Sequence, residues 1–204
     1  MKGIERDDGH LLIHFDPDEA AVLAGTVDQL AELLAEHQPA AAIRQPQSES
    51  PQDSDPFARW EAEFSRDQAP TVDELDQDLA DEEADPVLRR LFPDAYPDDP
   101  EASHDFRRFT QAEQGTQKVN DARVVLEDLM RTDRRGRCQV AEEHVTAWLK
   151  TLTNVRLALA VRLEITDEIS ADEAAQRPDN DPRAWLHEIY SWVGWVQESL
   201  LDAL

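Results

Sequence analysis

Ala141-Glu-Glu-His-Val-Thr-Ala-Trp-Leu-Lys-Thr-Leu-Thr-Asn-Val-Arg-Leu-Ala-Leu-Ala-Val-Arg-Leu163 is the stretch on which the fold turns. Val145, Trp148, Leu152, Val155, Leu159 and Leu163 recur at steps of three and four, the spacing that lays side chains along one face of an α-helix. A long helix with one unbroken apolar stripe must bury that stripe, so the rest of the chain is read as a search for what covers it.

Downstream, a helix runs from Asp181-Pro182 to the C-terminal end. It places Trp185, Ile189, Trp192 or Val193, Val196 and Leu200 on one face, widened by Leu186, Tyr190, Gln197 and Leu201. So broad an arc fits a central helix or one that also serves an interface, including a homodimer. Upstream, Thr110-Gln-Ala-Glu113 reads as a capping box opening a helix to about Arg131, with Val119, Ala122, Leu126 and Leu129 or Met130 inward. The Asp-Pro dipeptide recurs at Asp16, Asp55, Asp85, Asp99 and Asp181, just before apolar periodic segments. Asp accepts orphan amide protons and Pro has none to leave unpaired, so these mark helix starts. Short helices are expected from Asp85-Pro86 through Phe92 and from Asp99-Pro100 through Phe109. Pro93 and Pro97 bracket a turn that sets Tyr96 against the bundle. Segments 132–137 and 167–180 read as loops.

Residues 2–15 alternate as a hairpin turning at Asp8-Gly9. Asp16-Pro17-Asp18-Glu19 then starts a helix to about His37 that buries Val22 or Leu23, Val27, Leu30 and Leu34. The layout of Leu12 to Leu23, a short strand followed by an acidic helix start, is echoed by Cys138 to Leu149, which makes Cys138-Gln-Val140 a candidate third strand. The expected fold is mainly α: a helical bundle with a small N-terminal β-hairpin or three-stranded β element. Residues 1–37 and 85–204 form one helical domain. Segment 38–84, rich in Pro, Gln, Ser and Asp, reads as an acidic, largely disordered insert. Phe57, Trp60 and Phe64 mark a short aromatic helix near 57–65 within it.

The 45 acidic and 20 basic residues leave a formal charge of −25 over 204 residues, which opposes direct binding to nucleic acid or anionic membranes. No run approaches the roughly 18 apolar residues of a membrane span, and the first residues lack the apolar core of a secretory signal. A cytoplasmic location is expected. With one cysteine there is no intramolecular disulfide and no thiolate-rich metal site.

The chemical motifs are few. No His-Glu-x-x-His pair, Gly-rich phosphate loop or nucleophile elbow occurs, so no catalytic residue, metal or cofactor is assigned. Cys138 follows Arg131, Arg134, Arg135 and Arg137, and nearby positive charge favours a thiolate. It is a candidate redox residue, weighed against a plain core cysteine. Arg123, Arg156 and Arg162 stand on otherwise apolar helices. They pair with carboxylates such as Glu127, Asp128 or Glu198 to hold helix register, or they capture an anion. Trp60, Trp192 and Trp195 are candidate interaction anchors.

Four segments together resemble the DUF2017 family: Asp85-Pro-Val-Leu-Arg-Arg-Leu-Phe-Pro-Asp-Ala-Tyr96, Asn120-Asp-Ala-Arg-Val-Val-Leu-Glu-Asp-Leu129, Thr151-Leu-Thr-Asn-Val-Arg-Leu-Ala-Leu-Ala-Val-Arg-Leu163 and Tyr190-Ser-Trp-Val-Gly-Trp-Val-Gln-Glu-Ser-Leu200. The chain departs from the family's usual Leu-Asn-Asp-Leu-Arg-Leu-Ala-Leu-Gly wording at Thr153, Asn154 and Ala160. The resemblance implies an actinobacterial, mostly helical cytoplasmic protein, encoded near a protease adaptor and a sulfur-carrier route to cysteine. It also implies a regulatory role, since a mycobacterial member is described as a redox-responsive regulator that acts with a sigma factor through paired cysteines. A chain with Cys138 alone cannot copy such an intramolecular switch. The expected function is therefore non-enzymatic regulation or protein interaction, linked to stress or cysteine metabolism, with a sigma factor as the partner the resemblance implies. The alternative is a small-ligand binder or enzyme with its site among the Arg and Trp residues of the C-terminal helices.

Overall fold

Side-chain alternation in three short strands decides which side of the sheet meets the helices. In the computed structural model, which describes residues 1, 3–7, 10–16, 18–37, 85–96, 98–178 and 180–204, β1 (Gly3–Asp7), β2 (His10–His14) and β3 (Arg137–Ala141) form one antiparallel sheet in the order β1-β2-β3. Ile4 pairs with Ile13 and Ile13 with Cys138, while Leu11 pairs with Val140. Successive side chains point to opposite faces, so Leu11, Ile13, Cys138 and Val140 enter the core while Leu12, His14, Arg137 and Gln139 lie on the outer face. The expected third strand is present and spans one residue more at each end. The Asp8-Gly9 turn lies outside the described residues, as do the expected acidic insert, its aromatic helix and Trp60.

The helices are α1 (Glu19–Glu36), α2 (Pro86–Leu91), α3 (Pro100–Met130), α4 (Val145–Leu163, after a 3-10 turn at Glu142–His144), α5 (Glu168–Ala175) and α6 (Pro182–Asp202). The fold is thus mainly α with a small three-stranded sheet. Met1–Pro39 and Pro86–Leu204 make one compact unit in which α4 packs on α1, α2, α3 and α6, and α1 packs on α3. All six apolar residues of the α4 stripe are buried. Leu152, fully buried, contributes roughly 2 kcal/mol by leaving water. Leu23, Val27, Leu30 and Leu34 form the buried face of α1. Asp99 and Asp181 cap α3 and α6 through Ala102 N–H and Arg183 N–H, at 3.0 and 2.8 Å.

Several expectations are corrected. The two helices expected over 99–131 are one, because Thr110 does not cap: its hydroxyl donates to the Phe106 carbonyl at 2.8 Å, a bond that leaves the helix intact. The loop expected over 167–180 contains α5, opened by a capping box between Asp167 and Ser170. At α1 the Asp16-Pro17-Asp18-Glu19 signal is used two residues later, with Asp18 in the N-cap position and Glu19 Oε2 accepting from Asp16 N–H. Tyr96 is half exposed and meets Phe106 edge-on, ring centroids 6.1 Å apart, while Leu88 and Leu91 of the same corner are buried. The broad arc of α6 does not make it central. α4 holds that place, and Trp185, Trp195 and Leu201 remain exposed. No helix among the described residues is long and apolar enough to cross a membrane.

Candidate functional site

Tyr190, Gly194 and Gln197 follow one another at steps of four and three, so α6 presents them on one face toward α4. The Arg156 guanidinium lies on that face. A Cβ at Gly194 would stand 3.4 Å from Arg156 Cζ and Nε, so the flat group rests close against the helix backbone there. Arg156 Cζ is 5.4 Å from the Tyr190 ring centroid, and Arg156 Nη1 donates to Gln197 Oε1 at 3.1 Å. Gln197 Nε2 in turn donates to Thr153 Oγ1 at 2.7 Å, which turns the amide oxygen toward the arginine. Arg156 Nε is buried without a hydrogen-bond partner. Among the described residues the groups that hold this guanidinium are neutral. It borders a groove of about 460 Å³ whose walls include Arg90, Leu157, Ala160, Ile165 and Asp167. The Asp167 carboxylate is already engaged: the Ser170 N–H and hydroxyl donate to it, both at 2.8 Å, and hold it below the usual carboxylate range.

The other two arginines do not converge here. Arg123 is exposed on α3, and Arg162 is exposed on α4 beside a separate groove shared with Leu30, Leu33 and Leu186. Of the carboxylates considered as their partners, Glu127 and Asp128 are engaged elsewhere. Glu127 faces Arg131 at 3.4 Å. Asp128, almost fully buried, accepts from Trp148 Nε1 at 3.0 Å and bonds His144 Nδ1 at 2.9 Å, with Arg131 Nη1 at 3.4 Å. Asp128 therefore ties the end of α3 to the start of α4. A second polar seam joins the same helices. Lys118 Nζ donates to the buried Asn154 Oδ1 at 3.0 Å and sits 5.6 Å from the centre of the Phe92 ring, while Gln117 Nε2 donates to the buried Asp121 at 2.8 Å. Burial holds the Lys118 amine below its ordinary value, against the pull of Asp121. Asn154 thus has a polar role despite the departure from the family wording around it. Neither seam is legible in the sequence: Asp128 stands out only as one candidate partner for an arginine, not for His144 and Trp148, and among 45 acidic residues nothing singles out Asp121.

Cys138 lies wholly inside the sheet's core face, its Sγ 3.4 Å from the Asp128 carbonyl oxygen. Burial pushes its thiol up to about 11, more than the Thr132 hydroxyl lowers it, and the Asp128 carboxylate adds to the rise. The arginines that surround it in sequence do not surround it in space. Strand alternation sends Arg137 to the opposite face, where it pairs with Asp133 at 2.7 Å, and Arg134 and Arg135 are exposed.

Trp192 is half-buried against Phe15, ring centroids 6.4 Å apart, with its indole N–H enclosed and unbonded. Trp195 and Trp185 are 44% and 61% exposed on α6, and Leu201 and Leu204 toward the end of the chain are exposed as well. Large apolar side chains left in water on one helix are a feature common at interaction surfaces.

The whole chain, residues 1–204, matches the family model described as "Domain of unknown function (DUF2017)". It is similar to the "Oxidative stress regulator AosR" of Mycobacterium bovis and of Mycobacterium tuberculosis, 32% identical over 157 residues that cover 68% of this chain and 70% of each relative. It is also similar to the "Putative oxidative stress regulator AosR" of Mycobacterium leprae, 34% identical over 133 residues that cover 59% of this chain and 58% of that relative. No solved structure matches the chain.

Proposed function

We propose, for a chain that belongs to the DUF2017 family, a non-enzymatic regulatory role in the cytoplasm, exerted by docking a protein partner on the exposed tryptophans of α6. The name shared by its relatives, an oxidative stress regulator, supports regulation. The single observation that carries docking is the exposed pair Trp185 and Trp195 on one helix. Neither ring is needed to fill the core, so each keeps its apolar surface for a contact formed on association. Buried aromatic anchors of this kind are each worth about 2 kcal/mol or more at an interface, roughly a thirtyfold change in affinity. The surrounding acidity steers toward basic patches on the partner. The first partner to test is a sigma factor, and the process served is the stress response or cysteine metabolism.

The experiment is a binding titration of the full chain with purified sigma factors of its own host. Binding that falls about thirtyfold in Trp185→Ala or Trp195→Ala and stays intact in Arg123→Ala is the expected result. Wild-type binding in both tryptophan variants would overturn the docking face, and no binding to any sigma factor would overturn the partner. Self-association through the same tryptophans, seen by sedimentation, would assign the face to a second copy instead.

A further inference from the structure

We propose that the groove at Arg156 is a binding site for a small monocarboxylic acid with an apolar body. A guanidinium offers a planar fork of donors matched to a carboxylate, and half-burying it without an opposite charge is unfavourable. In a chain with 45 acidic residues a neutralising partner is easily come by. At Arg156 the flat group is held instead by neutral ones, the Tyr190 ring, the Gln197 amide and the bare backbone of Gly194. That is the arrangement of a preformed receptor, in which orientation is fixed before the anion arrives.

The rest of the groove defines the ligand. Arg90 on its wall adds a second cation, and Asp167, the acid on that wall, is engaged as the cap of α5. Two arginines against one aspartate leave one net positive charge, which suits a singly charged acid better than a phosphate carrying nearly two. Leu157, Ala160 and Ile165 line the same space and give an apolar body somewhere to lie. A volume of about 460 Å³ falls within the range of small-molecule sites. The chain's overall charge of −25 opposes anions at a distance, but that field is screened beyond about 10 Å at ordinary ionic strength. Contacts inside the groove therefore decide binding. Neither Trp185 nor Trp195, on which the docking proposal rests, lines this groove.

The test is calorimetric titration of the full chain with 4-methylpentanoate, with its neutral amide and with inorganic phosphate. Saturable binding of the acid is expected, with the amide and phosphate each at least about tenfold weaker. Arg156→Lys keeps the charge and loses the planar fork, so it should weaken the acid about tenfold or more. Arg90→Ala, at an exposed position that spares the fold, should weaken it several-fold. Trp185→Ala should bind the acid as the wild type does, which keeps failure of this site distinct from failure of the docking face. Equal binding of acid and amide, wild-type affinity in both arginine variants, or no saturable binding up to about 10 mM of the acid would each overturn the proposal.

Discussion

At Gly136 the chain adopts φ +79°, and a Cβ built there would stand 2.1 Å from the Phe15 carbonyl oxygen. The close approach is functional in the fold: Gly136 O accepts from Phe15 N–H at 2.8 Å, and Gly136 N–H donates to Asp133 O at 2.9 Å, so the loop before β3 is pinned where β2 ends. For Gly136→Ala the left-handed backbone alone costs roughly 1–2 kcal/mol, and the clash adds to it. Urea unfolding should show a total loss of at least about 2 kcal/mol, and a loss below about 0.5 kcal/mol would mean that the loop yields freely and does not pin the sheet. Two residues on, Cys138 makes a chemical prediction. Its thiol is raised to about 11 from an ordinary 9.0, so the folded state holds the proton more tightly than the unfolded chain does. The associated stability is fully present below pH 9 and is lost as pH rises toward 11. Cys138→Ala should remove that alkaline loss. At neutral pH an aromatic disulfide reagent should label native Cys138 at least about a hundredfold more slowly than the urea-unfolded chain. Equal rates would mean that the sheet opens easily enough for the thiol to sense oxidants.

Elements differ in how far their residues announce them, and the reason is whether the signal is local. The α4 stripe was legible because its covering helices must meet it on one face, and the same periodicity found Leu23, Val27, Leu30 and Leu34 on α1. Asp-Pro starts were legible at α2, α3 and α6 because a cap needs only its own turn. Thr110 misled for a related reason: the same hydroxyl that caps a helix can donate back one turn inside it, and only the continuous backbone of α3 decides between them. Helix α5 went unread because it buries little, Ala174 being its buried residue, so no apolar period rises above its polar surroundings. The polar seams were illegible altogether. Asp128 meets His144 and Trp148 across 16 and 20 positions, and Arg156 meets Gln197 across 41, separations that no local pattern encodes. What the sequence did carry for the cradle was its outline, the arginine in one marker segment and Tyr190, Gly194 and Gln197 in another.

Across the whole molecule the dominant long-range term is self-repulsion among 45 acidic and 20 basic residues. Compacting a chain of charge −25 brings like charges together, and this opposes folding at low ionic strength. Acting the other way are exposed pairs such as Arg6 with Glu142 and Arg183 with Glu164, both at 3.1 Å. Each such surface pair is worth at most about 1 kcal/mol, and salt weakens it too. The interior seams are little affected, because Asp128 and Asn154 are shielded from mobile ions. Raising potassium chloride from about 0.01 M to about 1 M shortens the screening length from roughly 30 to 3 Å. The repulsion sums over many distant pairs and the attractions over a few near ones, so the repulsive sum should fall further and the protein should gain stability. A gain of about 1–2 kcal/mol would lift the melting temperature by several degrees in a chain of this size, which thermal unfolding followed by circular dichroism at stepped salt would detect. Chloride is the right anion for the measurement, because sulfate also strengthens apolar burial and would raise the melting point for a different reason. A melting temperature that falls with potassium chloride would show that the surface pairs outweigh the net charge. The acidity would then act mainly through the field it presents to partners.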